Sequence, residues 1–221
     1  MCLIIASPKG WVEIPREHIR NGFIENPDGA GFAYATGRAV VIEKGFFSTR
    51  ELERALHSVP PRAPIIIHLR LASSGSIDPE HCHPFPIASS YDLLCATHVI
   101  TLRAIAHNGV IPEYGMKGWG PSDTQEFIMC VLARLPKMPG KLLKAFGRWA
   151  IIDASGNIAL YGEFLRRGKV YYSNDSFEEP RYKRGWWRLN KIGGWHVLQD
   201  DDLRTADDQD DTLSPLQGKV S

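Results

Sequence analysis

Apolar residues fall in short runs separated by glycine, proline and polar clusters, which predicts many strands and few helices. Residues 2–6 form one such run, a buried strand close to the N-terminus. A second, residues 65–71, is rich in isoleucine and flanked by proline, and reads as another buried strand. A third, residues 98–106, predicts a single strand running into His107-Asn108-Gly109. Hairpins are expected for residues 32–36 with 39–43 around Gly37-Arg38, and for 148–153 with 157–161 across Ala154-Ser155-Gly156. Residues 169–173 add a further strand, and 73–90 read as loop. Two helices announce themselves by capping boxes, in which a serine side chain and a glutamate or glutamine three residues on satisfy the free N–H groups of the first turn. One box is Ser48-Thr49-Arg50-Glu51, leading into Leu52, Ala55 and Leu56 and ended by Pro60-Pro61. The other is Ser122-Asp123-Thr124-Gln125, whose helix sets Phe127, Ile128, Val131, Leu132 and Leu135 on one face. Strands joined by turns rather than by alternating helices predict an α+β fold of mainly antiparallel sheets covered by helices.

Composition narrows the class. With 221 residues and a formal net charge of +1, the chain can form a sizeable core and carries no global field that selects nucleic acid or membrane. No apolar run is long enough to cross a bilayer, and no basic segment precedes the first apolar run as in a secretory signal, so a cytoplasmic protein is expected. The irregularly spaced Cys2, Cys82, Cys95 and Cys130 then read as reduced thiols. The chain divides into residues 1–180, a basic and aromatic closing segment at 181–198, and an acidic, polar tail at 199–221 that is expected to be disordered.

Four places carry candidate chemistry. If Met1 is removed, Cys2 supplies a thiol nucleophile and a free α-amine on one residue. An α-amine titrates at about 7.7–8.0, so it is partly neutral at working pH, can take the thiol proton and can later protonate a leaving amine. With Met1 retained that amine is absent, and Cys2 equally suits a small buried strand position. Arg70, at the end of a strand and followed by Ser73-Ser74-Gly75, is a ready bidentate clamp for a carboxylate, or a solvated arginine at a sheet exit. Asn108-Gly109 can offer a side-chain amide and a backbone N–H to an oxyanion, or form a simple turn. Asp123 can receive an ammonium group or favour a helix N-terminus.

In order, Met1-Cys2, Asp28-Gly29-Ala30-Gly31, His68-x-Arg70-x-Ala72-Ser73-x-Gly75, His83-Pro84, His107-Asn108-Gly109 and Ser122-Asp123-Thr124 resemble the glutaminase domain of the class II glutamine amidotransferases, which belong to the N-terminal-nucleophile hydrolases. The resemblance spans roughly the first 125 residues, and the later strands through Ser173-Asn174-Asp175 are compatible with it. It implies a four-layer α-β-β-α sandwich and a glutamine amidohydrolase that works through a cysteine thioester, without a cofactor or metal. Cys2 is then the nucleophile, Arg70 with Ser73 holds the α-carboxylate, Asn108 and Gly109 stabilise the oxyanion, and Asp123 binds the α-ammonium. The implied partner is L-glutamine or a γ-glutamyl amide, with the ammonia either released or passed to a separate synthase subunit. Three positions depart from the familiar motifs: Glu25 stands in place of an arginine, Leu71 of an aromatic residue and Ser74 of an imidazole.

Two other readings stay open. Arg181, Lys183, Arg184, Arg188 and Lys191 interleave with Tyr182, Trp186, Trp187 and Trp195, a pattern that suits a non-catalytic, nucleic-acid-binding or interaction protein on the same fold. His81, Cys82, His83, Cys95 and His98 are potential zinc ligands, though their spacing fits no standard site.

Overall fold

The computed structural model describes residues 1–72, 76–115 and 120–179. The first expected strand is β1 (Leu3–Ser7), so Cys2 sits immediately ahead of it. α1 (Arg16–Glu25) follows. It lacks a side-chain cap and buries only Ile19, Gly22 and Phe23, too thin a stripe to stand out in the sequence. β2 (Ala30–Ala35) and β3 (Val40–Phe46) form the expected hairpin, with Ala35 opposite Val40. The turn needs Gly37, whose φ of 89° is strained for a residue with a Cβ. α2 (Thr49–Leu56) opens on Ser48 with both halves of its capping box formed, and β4 (Ile65–Leu69) is the isoleucine-rich strand.

Part of the expected loop is ordered as β5 (Phe85–Pro86), and α3 (Tyr91–Cys95) follows it. The apolar stretch over 98–106 is two strands rather than one. β6 (His98–Thr101) and β7 (Arg103–Gly109) belong to different sheets, and the chain crosses between them at Leu102, which is 71% exposed. α4 (Asp123–Cys130) opens on the predicted box at Ser122 but is shorter than its apolar face suggests. Val131 leaves helical geometry (φ −120°, ψ −66°), and residues Leu132–Arg134 form a 3-10 turn. The remaining elements are α5 (Gly140–Ala145), β8 (Gly147–Asp153), β9 (Ile158–Tyr161), β10 (Leu165–Arg167) and β11 (Val170–Tyr172).

Every strand pairing is antiparallel. One sheet has the order β10-β11-β1-β4-β2-β3-β6 and the other β5-β7-β8-β9. Alternation along the strands fixes the layers, since successive side chains point to opposite faces. Leu3, Ile5, Phe32, Ile65 and Ile67 pack with Ile19 and Phe23 of α1 and Leu52 and Leu56 of α2. On the other face Ile4, Ala6, Ala33 and Ile66 meet Ala104, Ala106, Ala150 and Ile152 of the second sheet. The far face of that sheet gives Ile105, Trp149 and Ile151 to Leu94, Phe127, Ile128 and Leu143 of α3, α4 and α5. The result is a mixed α/β sandwich of two antiparallel sheets with helices on both outer faces, as expected from the strand pattern. Alanines between the sheets let them approach closely.

Among the described residues no helix is long and apolar enough to cross a membrane. Ser73, Ser74 and Gly75, the segment 181–198 and the tail 199–221 lie outside the described residues.

Candidate active site

β1 and β4 place the first two candidates together. Leu3 lies opposite Leu69, so one step further along the antiparallel pair Cys2 comes beside Arg70. The Cys2 thiol meets the main chain of the next residue: Leu71 N–H donates to Sγ and the thiol donates to Leu71 O, each at 3.4 Å. The Cys2 carbonyl accepts from Asn174 Nδ2 at 2.7 Å. Burial pushes the thiol above its ordinary pKa, while the Leu71 contact, the N-terminal ammonium and Arg70 pull it down. Met1, the residue that precedes the thiol, is 73% exposed.

Arg70 is buried and held by three local bonds. Its N–H donates to Gly29 O at 2.8 Å, its carbonyl accepts from Asp28 N at 2.9 Å, and Nη1 donates to Ser76 O at 2.6 Å. Asp28 also accepts from Ala72 N at 2.8 Å through Oδ2, so the Asp28-Gly29 turn braces the strand exit.

Asp123 is the first residue of α4. Its Oδ2 accepts from Ile111 N at 2.9 Å and its Oδ1 from Thr124 N at 2.7 Å, while the Thr124 hydroxyl, which donates its one hydrogen to His107 Nδ1, lies 3.3 Å from Oδ1. Two carboxylate oxygens offer about four acceptor positions. Two are occupied by backbone N–H groups, which fixes the group's direction and leaves room for a further donor. The serine cap at Ser122 sets this geometry at the helix start.

Cys2, Arg70, Gly109 and Asp123 line one cavity, joined by His81, His83 and His107, which the sequence did not mark as cavity residues. A cavity with a thiol, a guanidinium and a carboxylate on its walls suits a small zwitterion with a reactive carbonyl. Asn108 lies behind Gly109, 2% exposed, and its side chain turns toward the other sheet. There Nδ2 donates one hydrogen to Ser173 Oγ at 2.9 Å, and the amide nitrogen carries a second. Ser73 lies outside the described residues.

His68, His83 and His107 are neutral by burial. His107 donates from Nε2 to Phe146 O at 3.0 Å, and its Nδ1 meets Thr124 Oγ1 at 2.9 Å. It stacks on Trp149, and desolvation lowers its pKa to about 4 although the Phe146 bond and Asp123 act the other way. His68 donates to His107 O at 3.1 Å across the two sheets, and desolvation lowers it to about 3. His83 packs between His68 and Phe85, with ring centroids 4.3 and 4.4 Å away, and burial holds it well below the usual imidazole value.

The loop that carries His81 and His83 is fastened at three points. Lys44 Nζ donates to Glu80 O at 2.8 Å, Gln125 Nε2 donates to the same oxygen at 3.2 Å, and His81 is bonded to Asp78 and Gly120 O. Gly31 lets this loop lie on β2, because a Cβ there would come within 2.4 Å of His83 O.

The five potential zinc ligands do not converge. His98 is on an exposed edge strand bonded to Glu43, Cys82 turns to Asp78 O, and Cys95 lies against Gln125. Among the described residues no three His, Cys, Asp or Glu side chains form a group that could hold a metal.

No model of a known protein family matches the chain, and no curated protein matches it. Among solved structures, it is similar to glutamine phosphoribosylpyrophosphate amidotransferase from B. subtilis, determined in complex with ADP and GMP. The TM-score is 0.49 and the identity 18%, over 81% of this chain and 45% of that one. The chain therefore spans less than half the length of that neighbour.

Proposed function

We propose that the protein is an amide hydrolase of the N-terminal-nucleophile type, releasing ammonia from glutamine or a γ-glutamyl amide with Cys2 as nucleophile. The observation that carries this reading is that Cys2, Arg70, Gly109 and Asp123, far apart in sequence, line the same cavity. Arg70 brings a guanidinium to the wall where an α-carboxylate would lie, and Asp123 has an acceptor position left for an α-ammonium. A substrate held by both presents its side-chain amide to the thiol.

In the first step the Cys2 sulfur attacks the amide carbon, and the thiol proton passes to the α-amine exposed by removal of Met1. The Gly109 N–H and the second hydrogen of Asn108 Nδ2 receive the developing oxyanion. The tetrahedral species expels ammonia, which takes the proton from the amine, and leaves a γ-glutamyl thioester. Water then adds to the thioester, releases glutamate and restores the thiol. A separate synthase subunit is the further partner this chemistry could supply with ammonia.

Intact mass before and after treatment with a diazo-ketone analogue of glutamine tests the reading directly. The expected result is a protein lacking Met1 that gains one label, with no label on Cys2→Ala. Ammonia release from glutamine should disappear in the same variant, and undiminished turnover by Cys2→Ala overturns the assignment.

A further inference from the structure

The geometry points to Ser173 and Asn174 as positioning residues that lock the nucleophile strand and the Asn108 amide into one frame. This rests on the amide-hydrolase reading for its catalytic consequence, but not for its structural content.

The regular ladder between β1 and β11 pairs Ile5 with Tyr172 and Ala6 with Tyr171. Beyond it, on the approach to Cys2, side chains replace main-chain partners. Ser173 N still donates to Ile4 O at 2.9 Å, but Ile4 N–H turns to the Ser173 hydroxyl at 2.9 Å. The Cys2 carbonyl is held at 2.7 Å by the Asn174 side chain. Asn174 is itself fixed, since its Oδ1 accepts from Ser176 N at 3.0 Å and from the Ser176 hydroxyl. Ser176 is in turn bonded to Asn26 at the end of α1. The strand bearing Cys2 is thus pinned through two consecutive alternate positions, Cys2 and Ile4.

The Ser173 hydroxyl has a second task. It also accepts from Asn108 Nδ2 at 2.9 Å, a bond that crosses from one sheet to the other. One hydroxyl oxygen, on a residue that is 1% exposed, therefore touches the strand that leads into the thiol and the side chain proposed to face the oxyanion. A simple strand end needs no such junction, because continued main-chain pairing would satisfy Ile4 equally well. Its effect is to fix which way the Asn108 amide is turned and how far it stands from the thiol. Sub-ångström placement of this kind governs rate in acyl transfer, since the oxyanion donor must match where charge develops.

Three variants separate this from a purely architectural role. Asn174→Asp keeps the acceptor that Ser176 uses, removes the donor to Cys2 and adds a carboxylate charge beside it. Ser173→Ala removes the junction, and Ser173→Thr restores its hydroxyl. The first measurement, alkylation of Cys2 by iodoacetamide across pH in the whole protein, needs no glutamine. Asn174→Asp should free the buried thiol, raising the limiting alkylation rate at high pH several-fold even though the added carboxylate moves the pH midpoint up. The second measurement is kcat and KM for glutamine hydrolysis. Ser173→Ala should lower kcat about 10-fold or more with KM within about three-fold, and Ser173→Thr should recover most of it. An unchanged alkylation profile for Asn174→Asp overturns the clamp, and an unchanged kcat for Ser173→Ala overturns the junction. Should the unaltered protein release no ammonia, the amide-hydrolase reading and the junction's catalytic role fail together, and the alkylation profile alone then decides for or against the positioning of Cys2.

Discussion

At the scale of a single residue, Asp123 is held in the fixed direction that its proposed role of binding an α-ammonium requires. Two backbone N–H groups already point at the carboxylate, so its direction is set before any substrate arrives. Replacing it with asparagine keeps the volume, but turns an N–H group toward donors that expect an acceptor and removes the charge. A charge-assisted hydrogen bond contributes about 1.5–3 kcal/mol, so Asp123→Asn should raise the KM for glutamine roughly 10- to 100-fold. For an amide lacking the α-ammonium group, the KM should change far less. Equal effects on both substrates would place the ammonium elsewhere. Cys2, Arg70 and Asp123 stand out in the sequence because each residue type suits the task proposed for it. Ser173 and Asn174 do not, because their bonds to Ile4 and Cys2 span 169 and 172 residues and exist only once β11 lies beside β1.

Secondary-structure elements were legible where local chemistry decides them. Both capping boxes formed as expected, since the serine and the residue three places on satisfy the same N–H groups whatever surrounds them. The continuous apolar run over 98–106 hid the passage between sheets, because exposed Leu102 looks like a strand residue and carries no turn signal. α1 and α5 escaped notice because neither has a side-chain cap. The two boxes also make a matched experiment. Ser48→Ala and Ser122→Ala should each cost about 1 kcal/mol in unfolding by urea. Only Ser122→Ala should also weaken glutamine binding, because α4 carries Asp123 into the cavity whereas α2 lies on the opposite face of the sandwich. Equal loss of binding in both variants would show that general loosening, not helix placement, sets the affinity.

Across the whole molecule, the close approach of the sheets forces histidines into the interior. His68, His83 and His107 are buried and neutral, with folded pKa values below the 6.5 of a free imidazole. As pH falls below 6.5 the unfolded chain takes up protons at these positions and the folded chain does not, so stability falls with pH. The loss should begin near pH 6.5 and continue toward about 4 for His107 and about 3 for His68. Urea midpoints at pH 7 and pH 5 measure it, and the midpoint should be clearly lower at pH 5. A His107→Gln variant should show a shallower decline, and an unchanged slope would mean that its burial does not drive the effect. The strand pattern conveyed the layered class, since alternation and turns suffice for that. It did not convey how tightly the layers close, which depends on alanines from distant strands meeting one another.

The neighbouring placement of β1 and β11 bears on how the protein is made. Chains leave the ribosome at about 5–20 residues per second, so β1 waits on the order of ten seconds before Ser173 and Asn174 emerge. Throughout that wait the strand carrying the thiol has no edge partner on its β11 side. The removal of Met1 that the proposed chemistry needs can therefore act on an undocked strand while the chain is being made, before Ser173 and Asn174 reach it.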